Sequence, residues 1–183
     1  MLIDCPPLTE ATIDSLMAMA DGRRPRVVLT NREGHGRIRR LQERLGWPVL
    51  VQEQEAYLLP GVNPLDTFAE EHQLASGLRL LWTPGPTPGS CVVHAPAPWN
   101  VLFCGRLLVP VAVGVLAGLQ HRRTFHWPRQ QRSLARLRDW VGSDPLLSLA
   151  SGAGLGALRG ERLPALSAWR DAVDSETDQT KPT

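Results

Sequence analysis

Residues 84–90 read Pro-Gly-Pro-Thr-Pro-Gly-Ser, and neither a helix nor a strand can run through them. Each of the three prolines fixes φ and removes a backbone N–H, while the two glycines open conformations closed to other residues. Short apolar runs stand on either side, LRLLW at 78–82 and CVVH at 91–94. The chain is therefore held to a strand, a turn of one shape, and a second strand. VLFC at 101–104 supplies a third run, so the segment from about Thr67 reads as an antiparallel meander.

The preceding part has another texture. LID at 2–4 is a short strand, and Thr9 stands where it can cap a helix whose Ile13, Leu16, Met17 and Ala20 follow the 3.6-residue period, with Gly22 at its end. RVVLT at 26–30 is a β-branched strand. Ile38, Leu41 and Leu45 then share a helix face opposite Arg37, Arg40 and Arg44, and Gly46 stops that helix before the strand WPVLV at 47–51. Strand, helix, strand, helix, strand is the pattern of a layered α/β sheet with helices on one face. Later, Pro128 suits the start of a helix with an apolar seam of Leu134, Leu137 and Val141 beside Trp140. A strand at 146–150 and a last helix around Leu166 and Trp169 complete the expected order. One domain over 1–172 is expected, with the polar stretch 173–183 as a disordered tail.

The 183 residues are 43% apolar, enough for a core without disulfides or structural metal. Net charge is only +2, and Lys181 is the single lysine among twenty basic residues, which reflects a GC-rich genome rather than a nucleic-acid partner. Cys5, Cys91 and Cys104 are odd in number and widely spaced, which supports neither a disulfide framework nor a zinc ribbon and favours a reducing cytoplasm. No charged-then-apolar leader is read at the start. The apolar stretch 101–119 is interrupted by Arg106 and Pro110 and is expected to be buried strand and loop, not a membrane span.

Three turn sequences together carry a resemblance. Leu29 and Thr30 are followed by Asn31, Arg32, Glu33, Gly34, His35 and Gly36. The turn at 84–90 comes next, and Leu102, Phe103, Cys104, Gly105 and Arg106 end the following strand. The chain resembles the metallo-β-lactamase superfamily, an αββα four-layer sandwich that serves thioesterases, lactonases, lactamases and nucleases. Its first metal loop reads THxHxDH after such a Leu-Thr, its turn reads PGHTPGS, its hairpin ends LFTGD, and a GHG loop corresponds to Gly152, Ala153 and Gly154. The resemblance covers about residues 1–170 and implies an α/β (α+β) fold, with one or more strands of the first sheet missing or lying upstream. It also implies that every ligand position is changed. Asn31 and Glu33 stand for two histidines, His35 for aspartate, and Gly36, Pro86 and Ala153 for three further histidines. Arg106 stands for the carboxylate that bridges both metals.

A hydrolytic zinc site needs imidazole and carboxylate donors with one position open to water. Pro86 and Ala153 offer no donor atom, and Glu33 with His35 makes two ligands, which is too few. A guanidinium 4 Å from a divalent ion costs about 8 kcal/mol at an effective dielectric near 20. Arg106 is expected to exclude metal and to pair with Glu33 in the vacated pocket formed by Asn31, Arg32, Glu33, His35, Pro86, Arg106 and Ala153.

The sequence leaves several functions to be weighed. The first is a non-catalytic protein, without cofactor, whose pocket holds an anionic small molecule against Arg106 and Arg32 or which binds a protein partner. The second is a hydrolase of esters, thioesters or lactones, with zinc on Glu33 and His35, or with Cys104 as nucleophile and His35 as base. The third is nucleic-acid binding through Arg122, Arg123, Arg129, Arg132 and Arg136, disfavoured because acidic residues balance the charge and no aromatic platform accompanies it. GAGLG at 152–156 lacks the spacing of a nucleotide loop. His72, His94, His121 and His126 are expected to be structural or solvated. Leu116, Leu119, Phe125 and Trp127 are expected either in the core or on a patch for a homodimer or another partner.

Overall fold

Successive residues along the strands point to opposite sides, and here both sides are apolar. Val27, Leu29, Val49 and Val51 face one way and Val28 and Leu50 the other, all of them buried. The computed structural model describes residues 1–74, 76–142, 144, 146–153 and 163–170. The expectations for residues 154–156 and for the tail at 173–183 lie outside the described residues.

Strands β1 (Leu2–Ile3), β2 (Val27–Val28), β3 (Val49–Gln52) and β4 (Leu65–Phe68) form one sheet in that order, parallel throughout. Parallel neighbours require crossovers, supplied by α1 (Glu10–Ala20) and α2 (Ile38–Leu45). The Thr9 side chain accepts from the Thr12 N–H at 3.1 Å and starts α1, and Asp21 ends it in the left-handed conformation. Gly46, at φ 66°, ends α2. Ile13, Leu16, Ile38 and Leu41 pack on the outer face of this sheet. Met17 does not join them: it is 57% exposed, on the flank of the helix.

The second sheet runs β11-β8-β7-β6-β5, from β5 (Glu71–Gln73), β6 (Arg79–Trp82), β7 (Cys91–Ala95), β8 (Val101–Gly105) and β11 (Ser148–Ser151). β5 to β8 are the antiparallel meander read from the sequence, and β11 adds parallel to β8. Phe68, Leu80, Cys91 and Val93 meet Val28 and Leu50 between the sheets. On the far face, Leu81, Val92, Leu102 and Leu149 pack against Leu134 and Leu137 of α3 (Trp127–Val141). Helices, sheet, sheet and helix make the four expected layers. Residues after β8 form a hairpin of β9 (Val109–Ala112) and β10 (Val115–Ala117), and no helix among the described residues is long and apolar enough to cross a membrane.

Two boundaries differ from the sequence reading. Strand β11 begins at Ser148 because Leu146, 74% exposed, sits in a turn where its N–H is bonded to Asp144 Oδ1. The expected helix around Leu166 and Trp169 is one 3-10 turn, Leu166–Ala168. The backbone there is committed to the sheet edge, with Leu149 N–H donating to Pro164 O and Leu166 N–H to Leu147 O.

Candidate functional site

The ends of β2, β8 and β11 meet at one edge of the sandwich, where backbone and short polar side chains lock the loops. Asp4 accepts from both the N–H and the hydroxyl of Thr30 at 2.7 Å, and burial raises its carboxyl pKa despite those bonds. Asn31 donates to Thr30 Oγ1 and accepts from the Glu33 N–H at 3.0 Å, capping the 3-10 turn Arg32–Gly34. Cys91 N–H donates to Thr30 O across the sheets, and at the edge of the second sheet Gly152 N–H donates to Gly105 O. Gly105, at φ 52°, must be glycine because a Cβ would lie 2.8 Å from Thr30 Oγ1. Arg106 leaves that tight corner and Glu33 leaves the capped turn. Arg106 Nη1 and Glu33 Oε2 meet at 2.9 Å.

That ion pair stands between two cavities. Asn31, Glu33 and Arg106 border the larger, ≈ 430 Å³, together with Asp4 and Ser151. Glu33, Pro86, Arg106 and Ala153 border the smaller, ≈ 200 Å³, together with Arg123 and Gln130. Five of the seven residues assigned to a pocket from sequence thus line these two spaces. Arg32 and His35 do not. The Arg32 side chain is exposed, and His35 turns inward to another partner.

That partner is Glu55, on the 3-10 turn Glu53–Leu58 after β3. His35 Nε2 lies 3.7 Å from Glu55 Oε2, and neither atom has a hydrogen-bond partner. Desolvation first, then the Arg32 charge, lowers the His35 pKa to about 4, while desolvation raises that of Glu55. Both shifts favour a neutral imidazole facing a protonated carboxyl. The other Glu55 oxygen accepts from the Gly89 N–H at 3.1 Å, which ties the turn Glu53–Leu58 to the turn at 84–90. The arrangement is a buried brace, and the sequence reading missed Glu55 because the run EQE looks solvated.

The turn at 84–90 seats the start of α3. Pro86 O and Gly85 O accept from the N–H groups of Phe125 and His126, fixing the segment that enters α3. A Cβ at Gly85 would lie 2.4 Å from Gln130 Cα, so the helix packs directly on glycine backbone. The loop at 121–124 is closed by Thr124, whose Oγ1 accepts from the His121 N–H at 2.8 Å. His121 Nδ1 accepts from the Arg123 N–H, and His126 Nδ1 caps α3 by accepting from the Arg129 N–H.

Cys104 is not beside the cation that follows it in sequence. Its side chain points into the core under α3, fully buried, its thiol donates to Leu102 O, and burial pushes its pKa up to about 12. Such a thiol has neither the thiolate population nor the access of a nucleophile. His94 packs edge-on to Trp140, which Arg79 also covers at 4.4 Å, and His72 lies on β5. In the basic cluster, Arg136 is neutralised by Glu70 and Glu71. Leu116 is core, Leu119 and Trp127 are half-buried, and Phe125 is 49% exposed.

The metal loops of the resembling superfamily do not fit a metal here. Glu33 is taken by Arg106, His35 by Glu55, and among the described residues no three His, Cys, Asp or Glu side chains converge on one point. No protein-family model and no curated protein matches the sequence. Solved structures do match. TTHA1623, solved in a di-iron-bound form, is 22% identical with a TM-score of 0.59, covering 83% of this chain and 80% of its own. A metallo-β-lactamase from Pontibacter korlensis is 19% identical at 0.65, covering 91% and 77%, and VMB-1 is 14% identical at 0.68, covering 90% and 74%. The chain has the metallo-β-lactamase fold. Within that fold, the Arg106–Glu33 pair bridges the loop after β2 and the end of β8, with side chains 35% and 30% exposed. Solvent therefore screens part of its charge, and it holds the loops more by geometry than by energy.

Proposed function

We propose that this metallo-β-lactamase-fold protein is non-catalytic and metal-free, and that it uses the edge of the sandwich to bind a small anion. The observation that carries the reading is the 2.9 Å contact between Arg106 and Glu33. A guanidinium at this place repels a divalent ion and removes the one carboxylate of the first loop that could still have coordinated it. What is left beside the smaller cavity is a cationic excess, Arg106 and Arg123 against Glu33, suited to an anion and not to activating water, whereas Asp4 and Glu33 offset Arg106 at the larger.

The alternative, an ester, thioester or lactone hydrolase, is weakened at its two named groups. Cys104 is sealed in the core, and His35 is engaged with Glu55, away from both cavities bordered by Arg106. Cys5, Cys91 and Cys104 are unpaired, which supports a cytoplasmic setting. Metal analysis of the purified protein is the direct test, run with ester and lactone turnover assays and with thermal melts in chelator. Substoichiometric zinc, no turnover and an unchanged Tm are expected. Retained zinc, with turnover that disappears in Glu33→Ala, would overturn the proposal.

A further inference from the structure

We propose that the acidic segment after Arg170, which carries Asp171, Asp174, Glu176 and Asp178, docks on the basic face formed by the loop at 121–124 and the first turns of α3. The inference goes beyond the small-anion reading and does not depend on it.

The basic face has a fixed backbone, and its charge is unanswered. Residues 121–132 hold four arginines, two histidines and no acid. His121 and Thr124 bond to each other, and the N–H groups of Phe125 and His126 are tied to the turn at 84–90. Arg122, Arg123 and Arg129 are exposed, and their guanidinium groups have no ion pair or hydrogen bond among the described residues. The positive end of the α3 dipole lies at the same place. Further along the helix the same kind of side chain is answered, Arg136 by Glu70 and Glu71.

Arg170 sends the chain toward this face. Trp169 bridges Leu116 in the parallel direction, and Arg170 N–H donates to Leu116 O at 2.8 Å. Trp169 is anchored in the core around α3, with the Arg138 guanidinium over its ring at 4.6 Å. From Leu116, β10 runs on through Gly118 and Leu119 to the loop at 121–124, so the chain leaves Arg170 in the direction of Arg122 and Arg123. At ~3.4 Å per extended residue, the path from Leu116 to Arg122 is no longer than about 20 Å, and residues 171–178 can cover roughly 27 Å. All four acids fall within that reach, and no basic residue comes before Lys181. Charge and direction agree. Carboxylates joined to the face by so few residues act at an effective concentration on the order of millimolar, which populates ionic contacts too weak to hold an outside partner. Such contacts lie in solvent and are screened by salt.

The test follows amide spectra of the full chain as NaCl is raised from about 0.02 to about 0.5 M. It compares the wild type with a variant carrying Asp171→Asn, Asp174→Asn, Glu176→Gln and Asp178→Asn. In the wild type the Arg122, Arg123 and Thr124 signals should move with salt toward the positions they hold in the variant, whose own signals should shift several-fold less. A second variant, Arg122→Gln with Arg123→Gln and Arg129→Gln, should bring the signals of 171–178 to those of the free peptide 171–183. Unmoved signals from Leu50 and Leu137 check that both variants keep the fold. Loop signals that ignore the acid substitutions at low salt overturn the inference, as do wild-type 171–178 signals that already match the free peptide. Shifts that appear only as protein concentration rises assign the face to the segment of a second copy. Equally tight binding of an oligothymidylate to the wild type and to the acid-neutralised variant assigns it to an external polyanion. Either of these results overturns docking within one chain.

Discussion

His35 and Glu55 each titrate abnormally, yet together they hide the fact. The folded His35 pKa of about 4 lies below the unfolded 6.5, so its contribution is present above pH 6.5 and lost as pH falls toward 4. Glu55 is shifted up from 4.5, so its contribution is present below that value and lost as pH rises through the folded pKa. The two dependences run in opposite directions, so the pair changes stability with pH less than either group would alone. Removing one partner exposes the other. Glu55→Gln should lose at most about 3 kcal/mol as pH is lowered from 7 to 4, and His35→Gln should lose stability in the opposite direction, as pH rises from 4.5. Urea denaturation at several pH values reads both, and parallel profiles for the two variants would disprove the pairing. Arg106 and Glu33 form a different kind of pair. Arg106→Asp sets two carboxylates face to face and should cost about 1 kcal/mol, read by thermal melts against the wild type.

At the scale of elements, the turn at 84–90 illustrates what a sequence reveals and what it leaves out. Its prolines and glycines made the shape legible, because covalent restriction of φ acts wherever the segment sits. Its partner was not legible. That α3 seats on Gly85 is a contact across forty-five residues, visible only in three dimensions. Gly85→Ala should therefore cost more than an ordinary turn glycine, about 2–4 kcal/mol, because the added carbon meets Gln130 backbone rather than solvent. The Tm of that variant against Gly114→Ala, where nothing lies within 4 Å, is the measurement. The same reasoning sorts the rest of the site. Glu33 with Arg106 could be paired in advance because the resemblance placed both in one pocket. His35 was wrongly included because sequence order says nothing of which way a loop histidine turns. Asp4, Glu55 and Gln130 escaped notice as short-range patterns. Gln130 alone carried a signal, a polar residue on the stripe of Leu134 and Leu137. Helix and strand order was readable from periodicity, whereas β11 and the turn at Leu166–Ala168 were decided by sheet-edge hydrogen bonds that no local preference encodes.

For the whole molecule, the site lies outside what holds the fold together. Three apolar layers hold the sandwich: helices on the first sheet, sheet on sheet, and the second sheet on α3. None of these layers runs through the loops at 31–36, 84–90 or 106, which hang from strand ends at one edge. A metal or an ion pair there ties loops together but does not build the core. The expected consequence is a sharp contrast in stability. Leu50→Ala, at the fully buried centre between the sheets, should cost about 2–5 kcal/mol, as large-to-small changes in closed cores do. Joint replacement of Arg106 and Glu33 by alanine should stay within about 1 kcal/mol, because a pair one-third exposed is screened and costs side-chain entropy to hold. Urea unfolding of the two variants measures the difference directly. If the double alanine variant were the less stable of the two, the ion pair would be a structural keystone, and the division between a self-sufficient core and a replaceable edge would have to be abandoned.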